Sequence, residues 1–178
     1  MPASGLPAGF LYREDEDPGP LFEVGEPVEP VAQAPEDEEP QEFLAFALDA
    51  ETYALPVTAL REIVKVPALT EIPRAPRALL GVMNLRGEVL PVYDIRPRLH
   101  LAPLGAVPPK TARVLVVRSE EGDAGVWVDA VAGVVRLRPS TIEAPPPGVA
   151  NAERDCVVGL GRKGEALYIL IDVETVLP

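Results

Sequence analysis

Nucleophilic catalysis needs a thiolate or hydroxyl beside a base, and the sequence offers one cysteine, Cys156, and one histidine, His100. His100 falls in a loop-like stretch, so Cys156 reads as a partly buried small residue and not as an activated thiol. Zinc sites need clusters of Cys and His, which one of each cannot supply. No G-x-S-x-G elbow, no H-E-x-x-H pair and no Gly-rich loop followed by Lys and Ser/Thr occurs. Gly159-Leu160-Gly161 with Gly164 imitates a phosphate loop, but it leads into a strand where phosphate binding needs a helix N-terminus. A hairpin turn fits those glycines better. Asp94, Asp129, Asp155 and Asp172 each sit near an expected strand end, where turn and cap roles are their ordinary use. The chain is therefore expected to be no enzyme and to carry neither metal nor cofactor.

The 178 residues are 47% hydrophobic, enough for a core of useful size. A single cysteine excludes an intramolecular disulfide and fits a reducing compartment. The longest apolar runs fall far short of the ~20 residues that span a bilayer. The first thirty residues are acidic where a signal peptide is basic, so a cytoplasmic protein is expected.

The formal charge of −12 is unevenly placed: residues 1–42 hold twelve acidic side chains, one basic one and eight of the 22 prolines. Such a segment cannot bury enough apolar surface to offset its ordering entropy, and it reads as a disordered arm. Phe10-Leu11-Tyr12 and Leu21-Phe22 are its only apolar clusters. The remainder is close to neutral with no basic stripe, which disfavours nucleic acid and anionic membranes as partners.

From Phe43 the texture changes to short β-type runs separated by Gly, Pro and Asp. Phe43–Leu48 reads as a strand buried on both faces and Thr52–Leu55 as its return. A helical turn is expected at Val57–Leu60, a strand at Ile63–Val66, and a short helix around Ala75–Leu79. Gly81–Arg86 and Glu88–Ile95 bracket Gly87 as a tight hairpin with Gly87 at positive φ. The Pro-rich stretch Pro97–Lys110 reads as a connector between two β units. Further strands are expected at Ala112–Val117, Val126–Val128, Val131–Leu137 (kinked near Gly133), Val157–Leu160 and Ala166–Ile171. A polar turn at Glu120–Asp123, a Gly161–Gly164 turn and a loop from Pro139 through Gly148 separate them. Asp172 is placed to cap a short terminal helix, Val173–Leu177. About ten short strands with turns every 8–12 residues point to an all-β chain of small barrels, and the Pro-rich connector to two of them.

These residues resemble the CheW family of chemotaxis coupling proteins, in one consistent order across nearly all of 41–178. Gln41-Glu42-Phe43-Leu44 followed by Phe46 is similar to the family's first strand, and Leu60-Arg61-Glu62-Ile63-Val64 to its receptor-facing segment. Ile72-Pro73-Arg74-Ala75-Pro76, the run Gly81-Val82-Met83-Asn84-Leu85-Arg86-Gly87 and Pro91-Val92-Tyr93-Asp94-Ile95-Arg96 resemble its best-marked stretch. Val128-Asp129-Ala130-Val131, Gly159-Leu160-Gly161 and Leu170-Ile171-Asp172-Val173 with Val176-Leu177 continue the match. The resemblance implies two SH3-like five-stranded β-barrels, about 43–105 and 106–178 with terminal elements free to cross over. It implies a non-catalytic scaffold that links the cytoplasmic tips of chemoreceptors to the regulatory domain of the histidine kinase CheA. The matching receptor-facing positions are Leu60, Glu62, Gly81, Arg86 and Val134; the kinase-facing residues are not assigned. The kinase itself and the fusion to a receiver domain are not expected, because no phosphorylatable-His, ATP-binding or receiver segment is recognisable.

Arg86 directly precedes the hairpin glycine, where its planar fork either holds a partner's carboxylate or closes an internal pair with Glu62 or Asp94. Glu62 alone reads as solvated surface, Leu60 and Val134 as core, and Gly81 as a backbone bend. The acidic arm departs from the common family pattern and leaves open a specialised, non-flagellar pathway. A small-molecule-binding β-barrel sensor is the competing class; it requires a concave apolar pocket, and aromatic residues are only 5% of the chain.

Overall fold

The computed structural model describes residues 38–147 and 156–178. Most of the acidic arm, with Phe10–Tyr12 and Leu21-Phe22, lies outside the described residues, as do Gly148 and Asp155. Within them the chain forms eleven strands, three short 3-10 turns and one helical turn. The strands are β1 (Gln41–Leu48), β2 (Glu51–Pro56), β3 (Leu60–Lys65), β4 (Leu79–Leu85), β5 (Glu88–Tyr93) and β6 (Arg113–Ser119). They continue with β7 (Gly122–Val128), β8 (Ala130–Leu137), β9 (Ile142–Glu143), β10 (Val157–Lys163) and β11 (Ala166–Ile171). The helical turn α1 (Val173–Val176) follows Asp172, whose Oδ2 accepts from the Thr175 N–H at 3.0 Å and so caps it as expected. No helix among the described residues is long and apolar enough to cross a membrane.

The fold is all-β, in two sheets. One runs β8-β1-β2-β11-β10-β9 and the other β3-β6-β7-β5-β4. Both repeat one pattern. An edge strand pairs antiparallel with a hairpin, the hairpin's second strand pairs parallel with another strand, and that strand carries its own hairpin mate. Each small sheet therefore has the same SH3-like construction, with β9 added to one edge.

The sheets do not divide the chain at 105/106. The five-stranded sheet takes β3–β7, a continuous run, and sits as an insertion between the β1–β2 hairpin and β8–β11 of the other sheet. The Pro-rich stretch 97–110 connects β5 to β6 inside one sheet, so it is not a link between barrels. Proline content marks a segment that cannot be a central strand, but not which strands it joins. Gln41 and Glu42, assigned by charge to the arm, open β1 against β8.

Three further expectations shift. Leu60 belongs to β3 and not to the preceding 3-10 turn, Val57–Ala59, because it already pairs with Val117. The helix around Ala75–Leu79 is replaced by turns at 73–74 and 77–78 ahead of β4: Arg74 takes a left-handed φ of +63°, and Pro76 disfavours the helical region at Ala75. Gly161 lies in β10 opposite Tyr168, so the last hairpin turns in two residues, Gly164-Glu165. The kink near Gly133 is present as a register shift between β8 and β1.

The core explains the unbroken apolar runs. Leu44, Phe46 and Leu48 on one face of β1 join Leu115, Val117, Val126 and Val128 of the other sheet in a core shared by both. Phe43 and Ala45, on the opposite face, pack with Ala54, Val135, Leu137 and Leu170. Val114, Val116 and Trp127 similarly turn away from the shared core toward Met83, Leu90 and Val92. Strands covered on both faces lose the polar alternation of a half-buried sheet. Cys156 is fully buried in the shared core, as a small packing residue.

Candidate functional site

The β4–β5 hairpin turns on two residues. Leu85 pairs with Glu88, leaving Arg86 and Gly87 at the turn with φ of +52° and +91°. Positive φ at both central residues is the requirement of the type I′ turn, whose twist matches that of the strands. Asn84 Oδ1 accepts the Gly87 N–H at 2.9 Å and fastens the turn. Gly87 meets no steric penalty there; Arg86 does, at roughly 1–2 kcal/mol for a left-handed L-residue. A long cationic side chain is thus held out on a rigid, strained tip.

Arg86 reaches Glu62 on β3 with two parallel hydrogen bonds, Nη1 to Oε1 at 3.1 Å and Nη2 to Oε2 at 2.9 Å. β3 and β4 are the opposite edges of the five-stranded sheet, so this fork joins edges that share no backbone ladder. The Arg86 side chain stays 74% exposed while Glu62 is 20% exposed. Of the two internal partners expected for Arg86, Glu62 is the one found.

Arg61, next to Glu62, donates to Glu88 at 2.8 Å and also to Asp123. Those hydrogen bonds, Glu88's first, raise its pKa above the ordinary arginine value. Sequence reasoning missed Arg61, Glu88 and Asp123; the only signal was the adjacent opposite charges of Arg61-Glu62.

The other expected positions are distributed differently. Leu60 is half-buried against the shared core. Gly81 is buried at φ +149°, and a Cβ there would lie 2.6 Å from the Thr70 carbonyl oxygen. It is a backbone position, as the bend reading required. Val134 lies on β8, an edge of the other sheet, and is 58% exposed despite its apolar character. The structure thus brings Glu62 and Arg86 together, turns Leu60 toward the shared core and packs Gly81 against Thr70, and leaves Val134 on a separate sheet.

Asp94 and Asp129 are not simple turn residues. Arg96 donates to Asp94 Oδ1 at 3.0 Å and to Asp129 Oδ1, and the three form an ion network in which Asp94 and Arg96 are buried. Asp129 Oδ2 also accepts the Asp49 N–H at 2.8 Å, tying the β1–β2 turn to this node. Among the described residues, no three His, Cys, Asp or Glu side chains converge to hold a metal ion.

Residues 42–178 match the CheW-like domain family. The chain belongs to that family. It is 31% identical to the chemotaxis protein CheW of Helicobacter pylori over 157 residues, 88% of this chain and 93% of that one. It is 32% identical to CheW of Klebsiella aerogenes over 137 residues, 77% and 81% of the two chains. Its fold is similar to the crystal structure of the scaffolding protein TtCheW from Thermoanaerobacter tengcongensis. The TM-score is 0.70 at 31% identity, covering 77% of this chain and 92% of that one. The chain is accordingly a CheW-like chemotaxis scaffold in fold and family.

Proposed function

We propose that this CheW-like chain is a non-catalytic adaptor that couples chemoreceptor tips to the regulatory domain of a CheA-type histidine kinase, working in the cytoplasm at receptor arrays. The observation that carries the reading is the Arg86 guanidinium, fixed on a strained two-residue turn, forked onto Glu62 and still three-quarters exposed. An exposed fork in fixed geometry suits recognition of a helical hairpin's carboxylates and amides. In this reading Arg86, Glu62 and Val134 touch the receptor, while Leu60 and Gly81 act through the packing of β3 and the backbone path of β4. A cleft of about 770 Å³ between β5, the β6–β7 turn and α1 mixes four carboxylates, Glu120, Glu121, Asp123 and Glu174, with Val89 and Leu177, and is less apolar than the pockets that usually hold small molecules.

The test is binding of the full chain to a chemoreceptor-tip fragment and to a CheA regulatory domain encoded by the same genome. Arg86→Ala and Glu62→Lys are each expected to weaken the receptor fragment about tenfold or more and to leave the kinase domain unaffected. Their unfolding midpoints are expected to stay close to that of the native chain, because an exposed ion pair contributes only about 0–1 kcal/mol. Native-like receptor affinity in both variants would remove the reading.

A further inference from the structure

We infer that Arg61 is a positioning residue for the Arg86–Glu62 fork, stapling the far side of the same hairpin tip to β3; this rests on the reading of that fork as the receptor contact. The strand order leaves β3 and the β4–β5 hairpin at opposite ends of the sheet, with no backbone ladder between β3 and the hairpin tip. Among the described residues two ion pairs join them, and they flank Gly87: Arg86 to Glu62 before it, and Glu88 to Arg61 after it.

Consecutive strand residues ordinarily point to opposite faces, which would forbid Arg61 and Glu62 from serving one hairpin. The register shift between Leu60 and Glu62 resolves this. It leaves Arg61 without a partner in the β3–β6 ladder, and such a bulge re-aims a side chain. Arg61 then spans Glu88 and Asp123 of β7, with its side chain mostly covered where Arg86 is mostly exposed. The covered arginine is the fixed member of the pair of links; the exposed one is the presented member. Without Arg61, the carboxylates of Glu88 and Asp123 lose their shared counter-charge, and the tip is held to β3 only by the exposed fork.

The experiment is a double-mutant cycle on the full chain: native, Arg61→Gln, Arg86→Ala and the double variant, titrated with the chemoreceptor-tip fragment. The side-chain Nε–H signal of Arg86 is followed by NMR in the unbound native and Arg61→Gln proteins. Arg61→Gln is expected to weaken binding by about threefold to tenfold. In the Arg86→Ala background it is expected to add less than about twofold, since coupled residues are not additive. The Arg86 signal is expected to lose order in Arg61→Gln, and Arg61→Lys, which keeps the charge and can serve both carboxylates from one nitrogen as Arg61 Nη1 does but on a shorter stem, to restore binding in part. Unchanged affinity in Arg61→Gln with an ordered Arg86 signal would overturn the inference, as would an equal loss in both backgrounds. If Arg86→Ala itself binds like the native chain, the receptor reading falls, and the NMR signal alone decides whether Arg61 holds the tip.

Discussion

Arg96→Ala is expected to lower the unfolding free energy by about 3–5 kcal/mol, more than any surface substitution in this chain. Arg96 and Asp94 side chains are 4% and 7% exposed, so neither is well hydrated. Removing the guanidinium leaves the Asp94 carboxylate buried near Asp129 with no counter-charge, and the Asp49 N–H bonded to a carboxylate that has lost its own anchor. The network binds the end of β5, the start of β8 and the β1–β2 turn, so the loss falls on the junction of the two sheets. Urea titration at neutral pH gives the value directly. The double variant Asp94→Ala with Arg96→Ala is expected to cost clearly less than the sum of the single ones, because the stranded charge is gone. A cost below about 1 kcal/mol for Arg96→Ala would mean that water reaches the network.

Gly81→Ala is the second large effect. Its Cβ would come within 2.6 Å of the Thr70 carbonyl oxygen, a backbone atom that is held by mutual hydrogen bonds of 2.9 Å between Thr70 and Val82. Neither side can yield without breaking that bridge, and φ of +149° is itself unfavourable for an L-residue. A destabilisation of about 2–4 kcal/mol is expected by urea titration. Gly87→Ala is the control: a Cβ there meets nothing within 4 Å, so only the backbone term of roughly 1 kcal/mol remains. Equal costs at the two sites would refute the steric account of Gly81. Any receptor defect in Gly81→Ala then follows from a displaced β4, the strand that carries Arg86.

Strand positions were legible in the sequence because β-branched runs and Gly, Pro and Asp breaks are local signals. Phe43–Leu48 announced two covered faces, and Gly87 announced the hairpin. Strand partners were not legible. Nothing local in β1 distinguishes pairing with β8, ninety residues away, from pairing within a first barrel, so the interleaving of the two sheets stayed hidden. The site divided in the same way. Arg86 at its turn could be read from Leu85-Arg86-Gly87, but the choice of Glu62 over Asp94 depended on closure of the sheet edges. Asp94 was unavailable because it is committed to Arg96, two residues on and inside the core. A lone Asp between an apolar strand and a proline reads as a turn former, and only burial shows it as half of an ion pair. Arg61 escaped notice because a bulge, invisible in composition, re-aims it.

In the proposed function this chain carries the signal from receptor to kinase, with Arg86 at the receptor contact. Kinase autophosphorylation reads this out when receptor, CheA-type kinase and the full chain are reconstituted together. Receptor-dependent activity is expected only when the chain is present, and Arg86→Ala is expected to reduce it several-fold while still binding the kinase domain. Receptor control of the kinase that persists without the chain, or that Arg86→Ala supports as well as the native protein, would contradict the account.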